Sequence, residues 1–581
     1  MAAVVTALAL LVFVLGYRFY ARFIGRRIFD DEQPGFTTPA HSLEDGRDFV
    51  PTKRPVLFGH HFTSIAGAAP IIGPCVAAYW GWLPALVWVV LGTVFMGAVH
   101  DYGALVISVR EKGRSIADIA ATVVSGRVRL MFLCFVMVLS WLVLAVFAMA
   151  IADLFVQVPT SVLPVNIAIV VAVVVGWLLY KRRVPPLVPS LVALVVLYAF
   201  VWIGTKAPLS LADAGVPTDQ VRLVWILALF VYSAVASLLP VWLLLQPRDY
   251  VNSHQLVVGL GLLFLGIFVA HPCFDAPAIR EASDDAPSMF PILFVTIACG
   301  AISGFHGLVS SGTTSKQLDK LEDARLIGYG SMLGEGALAL ASVMAAVAGI
   351  GLVGFCELPT GVVTDDLSWA VYYDSWAHAS GNKAAAFVLG GAAFLGELGI
   401  PTVLAATLMA VLVISFASTT LDTATRIERF IIAEIGDAIG VRALTNPYLA
   451  TLIAVVPAIL LATVRLDGGK EAAWALWPVF GASNQMIASL TLLVLALYFW
   501  QRRRPVLPLV VPMLFVMAVT LFSLGLHLIE FSHAEQWLLV GLTVVLTSLI
   551  LWMSVESLGV FVRLVRERER AGSPAPADPA D

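Results

Sequence analysis

The chain has 581 residues, of which 60% are hydrophobic and 13% are charged, and its formal net charge is −4. No water-soluble domain could cover this much apolar surface with polar groups, so the composition excludes a soluble protein. The Lys and Arg residues are scattered, which gives no support for nucleic-acid binding. The five cysteines form no CxxC pair or Cys/His ligand set, so no metal site is predicted.

Apolar runs long enough to cross about 30 Å of hydrocarbon recur along the whole chain. They predict an all-α polytopic membrane protein. We place about fifteen transmembrane helices at Ala3–Ile24, His61–Tyr79, Leu83–Val109, Leu130–Phe155, Val162–Tyr180, Leu187–Ile203, Leu223–Leu245, Leu256–Ala270, Phe290–Gly312, Gly328–Val353, Pro401–Asp422, Tyr448–Val464, Ala473–Tyr498, Val506–Leu526 and Trp537–Val560.

The connecting segments alternate between basic and acidic, as in Arg110 to Arg114 and in Asp213 to Asp219. Because basic loops stay in the cytoplasm, this alternation predicts an outside N-terminus and a cytoplasmic C-terminus. The apolar stretch Ala384 to Leu398 would break the alternation if it crossed the membrane. We therefore predict a re-entrant or surface helix there.

One predicted span, Gly59 to Pro74, contains three glycines, two prolines and several hydroxyls. Prolines remove backbone donors and glycines permit other dihedral angles, so we expect this helix to be interrupted within the membrane. Freed carbonyls and amides are tolerated there only where they line a protein-enclosed cavity. The candidate substrate contacts are His61, Thr63, Ser64 and Gly67. The alternative is a tight helix–helix contact through small residues.

A second interrupted helix is predicted at Gly300 to Ser315, where His306 to Gly312 repeats the spacing of His61 to Gly67. The loop charges place the two helices in opposite directions, as at the central site of an inverted-repeat transporter. Half-helix N-termini attract an anionic group, and freed carbonyls can hold a cation. The candidate substrate contacts in this segment are Gly304, His306, Ser310, Ser311 and Gly312.

Six segments of the sequence resemble the carbon starvation protein A family of bacterial inner-membrane transporters. They are Gly59–Pro74, His100–Tyr102, Gln246–Tyr250, Phe305–Gln317, Leu421–Arg426 and Phe480–Gln485. The resemblance implies a leucine-transporter-like core of two inverted five-helix repeats, in the APC superfamily. It also implies uptake of peptides or pyruvate when carbon is scarce. One departure is that six predicted spans separate the two interrupted helices where the simple repeat leaves four, so two helices are inserted.

With this resemblance, the chain divides into four parts. Residues 1–55 hold the first helix and a cytoplasmic loop, 56–500 the transporter core, 501–570 two further helices, and 571–581 a tail. The tail is rich in Pro, Ala and Asp and is expected to be disordered. Whether Cys273 and Cys356 pair stays open, because nothing in the sequence fixes their distance.

The coupling ion is a separate question. Ser418 and Thr419 resemble the neighbouring hydroxyls that bind sodium beside the first broken helix in sodium-coupled relatives of this fold, where the Ala66 carbonyl would join them. The alternative is that these hydroxyls bond back to their own helix or to a neighbouring one. Asp422 is an ion-coupling candidate or a simple partner of Arg426, four residues further on.

Proton coupling needs a titratable group near the site, and His61, His306 and Glu335 are the candidates. A neutral, hydrogen-bonded structural histidine is the alternative for either imidazole. Asp101 and Arg110 mark the inner end of the third span and are interpreted as a gate or a loop clamp of purely structural value.

Two further polar positions lie in or near spans. Arg248 is interpreted as a cytoplasmic latch with Asp249. Asn484 lies within an apolar span and is a candidate substrate contact or a bridge between helices.

These features predict secondary active uptake of a small carboxylate-bearing nutrient, pyruvate or a short peptide, driven by an H+ or Na+ gradient. No other cofactor is expected, and the partners are the substrate and the lipid bilayer. The alternatives are a passive channel or facilitator and a membrane starvation sensor. An intramembrane enzyme would use His306 with Ser310 at helical spacing. The chain contains no GxxxxGK[ST] motif, so an ATP-driven pump is not predicted.

Overall fold

The computed structural model describes residues 1–33, 35–281, 283, 286–354, 356–357, 363–364, 367–381, 384–465 and 471–572. In these ranges the chain is helical except for loops and one small hairpin, in which β1 (Cys356–Glu357) pairs antiparallel with β2 (Val363–Thr364). The all-α prediction is confirmed. A helix satisfies its own backbone groups, which hydrocarbon cannot do.

The first half of the chain forms thirteen helices. In order they are α1 (Ala2–Leu15), α2 (Arg22–Ile24), α3 (Pro39–Ser42), α4 (Arg54–Ile65), α5 (Ala69–Ala77), α6 (Trp82–Gly92), α7 (Ala98–Arg110), α8 (Ile116–Val123), α9 (Gly126–Gln157), α10 (Val162–Tyr180), α11 (Leu187–Lys206), α12 (Thr218–Leu238) and α13 (Leu245–Ala270). Short 3-10 and π-helical turns join some of them into longer rods, such as Trp82–Arg110.

The second half forms thirteen more helices in the described ranges. They are α14 (Met289–Thr296), α15 (Ala298–Ala301), α16 (Gly304–Gly312), α17 (Ser331–Met344), α18 (Trp369–Tyr372), α19 (Trp376–Gly381), α20 (Ala385–Gly396), α21 (Thr402–Ile439), α22 (Pro447–Thr463), α23 (Ala472–Ala475), α24 (Trp477–Gln501), α25 (Leu507–His533) and α26 (Trp537–Gly572). The long helices α9, of 32 residues, and α21, of 38 residues, pack against each other.

Twelve helical rods of the described ranges are long and apolar enough to cross a membrane, and a bent pair, Arg54–Ile65 with Ala69–Trp80, forms a possible thirteenth. The chain is therefore a multi-pass membrane protein. The other two of the predicted spans correspond to shorter helices, the series α14 to α16 and the 17-residue α22. The total of fifteen spans stays a prediction.

Helix α20 covers the stretch predicted as a re-entrant or surface helix. Eight of the 12 residues of α20 are buried and no residue from Ala385 to Leu395 is exposed, so the helix is embedded in the protein and does not lie on its surface. The helix packs against α13, α21 and the end of the rod that contains α17. Its 12 residues extend about 18 Å, well short of the hydrocarbon thickness.

Two further points concern residues outside these helices, namely the open question of a Cys273–Cys356 pair and the predicted disordered tail. Cys273 is a free, exposed thiol, and the side chain of Cys356 lies outside the described residues. Residues 573–581 of the predicted disordered tail also lie outside them.

Gly390 provides a test of how α20 packs. A Cβ added at Gly390 would lie 2.1 Å from the Ala345 carbonyl oxygen, whereas a Cβ at Gly396 of the same helix would meet nothing within 4 Å. We expect Gly390→Ala to cost about 1–3 kcal/mol through overpacking and to lower the thermal unfolding midpoint in detergent. Gly396→Ala is the matched control. Equal midpoints for the two variants would contradict this packing.

Candidate functional site

The first predicted interruption is present. Helix α4 ends at Ile65, Ala66 leaves helical geometry with φ −73° and ψ 59°, and α5 begins at Ala69. The two pieces differ in direction by 46°. The Gly67 amide bonds to the Ile65 carbonyl at 2.8 Å, a local turn that replaces the helical bond. Ala66 and Gly67 therefore lie at a break within the protein interior.

The second predicted interruption is also present. Helix α15 ends at Ala301, Ile302 and Ser303 are extended, and α16 begins at Gly304. The extended residues have φ −158° and −131°, respectively. All residues from Cys299 to Ser303 are buried, so this break is enclosed by protein.

The two broken helices lie side by side in opposite directions. At one end, His61 Nδ1 is 2.9 Å from Thr314 Oγ1. At the other end, a Cβ added at Gly73 would lie 2.3 Å from the Thr296 carbonyl oxygen. Contacts that move forward along one helix and backward along the other define an antiparallel pair. The predicted opposite directions are confirmed, and the N-termini of α5 and α16 lie at a similar level.

Helix α21 supplies hydroxyl groups to the last turn of α4. Thr419 Oγ1 donates to the Thr63 carbonyl at 3.0 Å, and Thr420 Oγ1 donates to the Ser64 carbonyl at 3.1 Å. The Ser64 and Thr423 hydroxyls are 3.3 Å apart. Two neighbouring hydroxyls do lie beside the first broken helix, but they belong to Thr419 and Thr420, and Thr420 is not among the predicted residues. Thr419 Oγ1 also lies 2.8 Å from the Phe416 carbonyl of its own helix, so these hydroxyls make the own-helix and neighbouring-helix bonds of the alternative, and sodium binding stays a prediction.

Ser418 lies on a different face of α21. A helix turns about 100° per residue, so Ser418 points away from the break while Thr419 and Thr420 point toward it. Ser418 instead lines a separate cavity of about 120 Å³. The residues that line this cavity are Phe155, Val165, Asn166, Ala168, Ile169, Trp225, Ala228, Leu229, Tyr232, Arg248, Asn252, Ser415 and Ser418. Ser418 and Thr419 therefore do not act together at the break, and the contacted carbonyls are not that of Ala66.

Asp422 belongs to a second buried cluster. Its carboxylate accepts from Arg248 Nη1, from Arg248 Nη2 at 2.8 Å and from the Tyr232 hydroxyl at 2.9 Å. Arg248 also pairs with Asp249 at 3.0 Å, so that predicted pair is present. The predicted pairing of Asp422 with Arg426 is wrong, because the Arg426 side chain reaches Asp48 at 2.7 Å instead.

His60, which the sequence analysis did not select, ties this cluster to α4. Its Nδ1 lies 2.6 Å from Asp249 Oδ2, and its Nε2 lies 3.3 Å from Gln317 Nε2. An amide nitrogen only donates, so the hydrogen-bond network assigns the His60 proton to Nδ1. The residue is then a neutral donor to Asp249.

The third cluster contains His306. His306 Nδ1 is 3.0 Å from Asp101 Oδ2, and His306 Nε2 is 3.1 Å from Glu335 Oε2. Asp101 also accepts from His100 Nδ1 at 2.7 Å. The four side chains are 0–1% exposed and join α7, α16 and α17. Asp101 is thus part of a titratable cluster rather than of a clamp with Arg110, which bonds the carbonyls of residues 29 and 30.

The two remaining serine candidates on α16 differ in their contacts. Ser311 Oγ donates to the Gly307 carbonyl at 2.7 Å and accepts from the Ile116 amide of α8 at 3.2 Å, whereas the buried Ser310 Oγ has no hydrogen-bond partner among the described residues. Both His306 nitrogens face carboxylates, so the imidazole does not pair with Ser310 as a nucleophile would require. Gly312 ends the helix, 3.4 Å from Ile427 if a Cβ is added.

Asn484 on α24 closes the second break. Its Oδ1 accepts from the Phe305 amide at 2.9 Å, and its Nδ2 donates to Ser303 Oγ at 3.0 Å. Gly304 packs so tightly on α24 that a Cβ would lie 2.4 Å from the Asn484 carbonyl oxygen. The structure thus gives Asn484 a bridging contact between helices. Its role toward substrate stays a prediction.

The membrane rods and the paired broken helices define a polytopic membrane protein with an enclosed polar centre. A model of the family described as "Carbon starvation protein CstA" matches residues 1–523. The chain belongs to this carbon starvation family.

The chain is also similar to two named relatives and, more distantly, to a solved structure. A Mycobacterium tuberculosis protein named peptide transporter CstA is 35% identical over 563 residues, covering 88% of this chain and 73% of that protein. The Escherichia coli pyruvate/proton symporter BtsT is 32% identical over 592 residues, covering 89% and 80%. A crystal structure of the Eremococcus coleocola manganese transporter, bound to an aromatic bis-isothiourea compound, has a TM-score of 0.48 at 12% identity, with 89% and 99% covered.

Asp422 gives a test of the second cluster. Removing one partner from a buried ion pair leaves the other charge unpaired, so we expect Asp422→Ala to cost about 3–5 kcal/mol and to lower the thermal unfolding midpoint. Asp437→Ala removes an exposed carboxylate from the same helix and is the control. A midpoint for Asp422→Ala equal to that of the wild type would show that the Arg248 pairing is not formed.

Proposed function

We propose that this chain is a secondary active transporter that imports a small carboxylate-bearing nutrient, pyruvate or a short peptide, by cation symport under carbon limitation. The observation that carries the proposal is the antiparallel pair of broken helices, which meet through His61 and Thr314. Its relatives named as a peptide transporter and as a pyruvate/proton symporter are consistent with it.

We infer that the substrate carries a carboxylate from the chemistry of the helix N-termini at the two breaks. Helices α5 and α16 each begin at a break, and a helix N-terminus carries partial positive charge and unsatisfied amides. The N-cap of α5 is Ala68, whose methyl group cannot accept a hydrogen bond. The N-terminus of α5 is therefore ready to receive an anionic group, and His61 and Gly67 lie within the same broken helix.

The leucine-transporter-like arrangement of two five-helix repeats supports this role as part of the proposal. In such folds the broken helices of the two repeats form the central site, and the repeats rock around it. We assign the membrane as the bacterial inner membrane, with the N-terminus outside and the C-terminus in the cytoplasm. The loop charges support this orientation.

Counterflow in proteoliposomes tests the function. Vesicles holding purified protein are loaded with unlabelled pyruvate, lactate or a dipeptide and are then given labelled pyruvate, with and without an imposed proton or sodium gradient. We expect exchange of at least one carboxylate and its accumulation under one of the gradients. Exchange without accumulation under either gradient would indicate a passive facilitator. The absence of both exchange and accumulation would contradict the transporter proposal.

Two substitutions test the site. We expect His61→Ala and Gly67→Leu to lower uptake about tenfold or more, because one leaves Thr314 without its partner and the other fills the break. A Cβ at Gly67 would already lie 2.8 Å from Thr420 Oγ1. Uptake is compared at equal protein abundance in the membrane.

Matched controls separate the site from general damage. Exposed His533 lies at the end of α25, and a Cβ at Gly261 of α13 would meet nothing within 4 Å. His533→Ala and Gly261→Leu should therefore transport as the wild type does. Wild-type uptake by both site variants would place the substrate elsewhere.

A further inference from the structure

The cluster of His100, Asp101, His306 and Glu335 differs from the other charged clusters in how its carboxylates are satisfied. Asp101 faces two imidazole nitrogens, at 2.7 and 3.0 Å. Glu335 has one neighbour, His306 Nε2 at 3.1 Å, and neither of its oxygens makes an aligned hydrogen bond in the described part of the chain. Glu335 is therefore the less stabilised carboxylate of the two.

The charge balance of this cluster depends on one proton. An imidazolium at His306 compensates one of the two carboxylate charges. His100 Nδ1 donates to Asp101, and its buried Nε2 has no acceptor for a second proton among the described residues, so His100 is counted as neutral. With Asp101 and Glu335 both ionised, the cluster then carries one uncompensated negative charge. Such a charge is costly in a buried, membrane-embedded position, and one proton on Glu335 removes it.

The Arg248 cluster has the same formal excess of carboxylates but resolves it differently. Its guanidinium donates to both Asp249 and Asp422, Tyr232 donates to Asp422, and His60 donates to Asp249. All four carboxylate oxygens are thus hydrogen-bonded. Hydrogen bonds of this kind hold the charged form. The Arg248 cluster therefore has no unsatisfied carboxylate oxygen that could take up a proton.

We propose that Glu335, held against His306, binds the proton that drives transport, and that Asp101 and His100 position His306 for this task. This inference rests on the proposed symport function and names its coupling ion and ion site. The titratable groups in and around the cluster are His100 and Asp101 from α7, His306 from α16, Glu335 from α17, His61 from α4 and the buried thiol Cys299 from α15. On α24, the side chain closest to a Cβ added at Gly307 of α16 is that of Thr491, which carries no charge.

The position of the cluster allows the proton to affect the substrate site. His306 is two residues from Gly304, where α16 begins at the second break. On the other side, a Cβ at Gly334, next to Glu335, would lie 2.6 Å from the Phe62 ring of α4. The proton site therefore contacts both broken helices, so its occupancy can bias their arrangement.

Glu335→Gln tests the proton site in proteoliposomes. A 1:1 proton symporter can accumulate substrate up to about tenfold per pH unit of gradient. We expect the wild type to accumulate labelled pyruvate or dipeptide under an inward proton gradient. We expect Glu335→Gln to hold a ratio of about one while still exchanging substrate in counterflow, at a rate that no longer depends on pH.

Two further variants keep the test decisive. Glu428→Gln changes an equally buried glutamate on α21 and should keep proton-driven accumulation. Glu335→Asp keeps a carboxyl group at a different distance from His306 and should retain accumulation with a shifted pH profile. If Glu335→Gln fails to fold, an unchanged pH profile in Glu335→Asp contradicts the inference by itself.

The outcomes separate this inference from the function on which it rests. A wild type without counterflow of any tested carboxylate would overturn the proposed function. A wild type that exchanges substrate but accumulates it only under a sodium gradient would overturn the proton site alone. The same holds if Glu335→Gln keeps tenfold accumulation, or if Glu428→Gln is the variant that loses it.

Discussion

The structure depends on how two interrupted helices satisfy their freed backbone groups away from water. A helix break inside a membrane exposes carbonyls and amides that hydrocarbon cannot serve, so other helices must supply partners. Thr419 and Thr420 of α21 meet carbonyls at the end of α4, and Asn484 of α24 meets an amide at the start of α16. These bonds fix which helices surround each break. The same contacts therefore satisfy the freed backbone groups and determine the surroundings of each break.

Both breaks could be predicted because their causes are local. Glycines and prolines act on their own backbone, and the direction of each helix follows from counting charged loops. The titratable residues His306 and Glu335 could also be selected, since ionisable groups inside spans are rare. Their pairing with each other and with Asp101 could not be deduced, because it depends on how α7, which is distant in sequence, packs against α16 and α17.

The errors have a common physical origin in helical phase and partner choice. The sequence of α21 shows that Thr419, Thr420 and Thr423 share one side, but not which side meets α4. Adjacency in the sequence suggests that Ser418 acts together with Thr419, but Ser418 lies on another face of α21. Asp422 has a basic residue four positions away, yet it pairs with Arg248 from a different helix. Likewise, the composition of α20 suits either lipid or protein surroundings, and only packing decides between them.

The two broken helices are alike in geometry but not in chemistry. Asn484 occupies the N-terminus of α16, whereas Ala68 leaves that of α5 without a side-chain acceptor. Under the proposed function, an anionic group would therefore be drawn to α5, in the first broken helix. His306 lies in the second broken helix, and Asp101 of α7 and Glu335 of α17 lie beside it. A substrate carboxylate and a coupling proton would thus be held by opposite partners of one antiparallel pair, so a change in either charge acts on the contact between them.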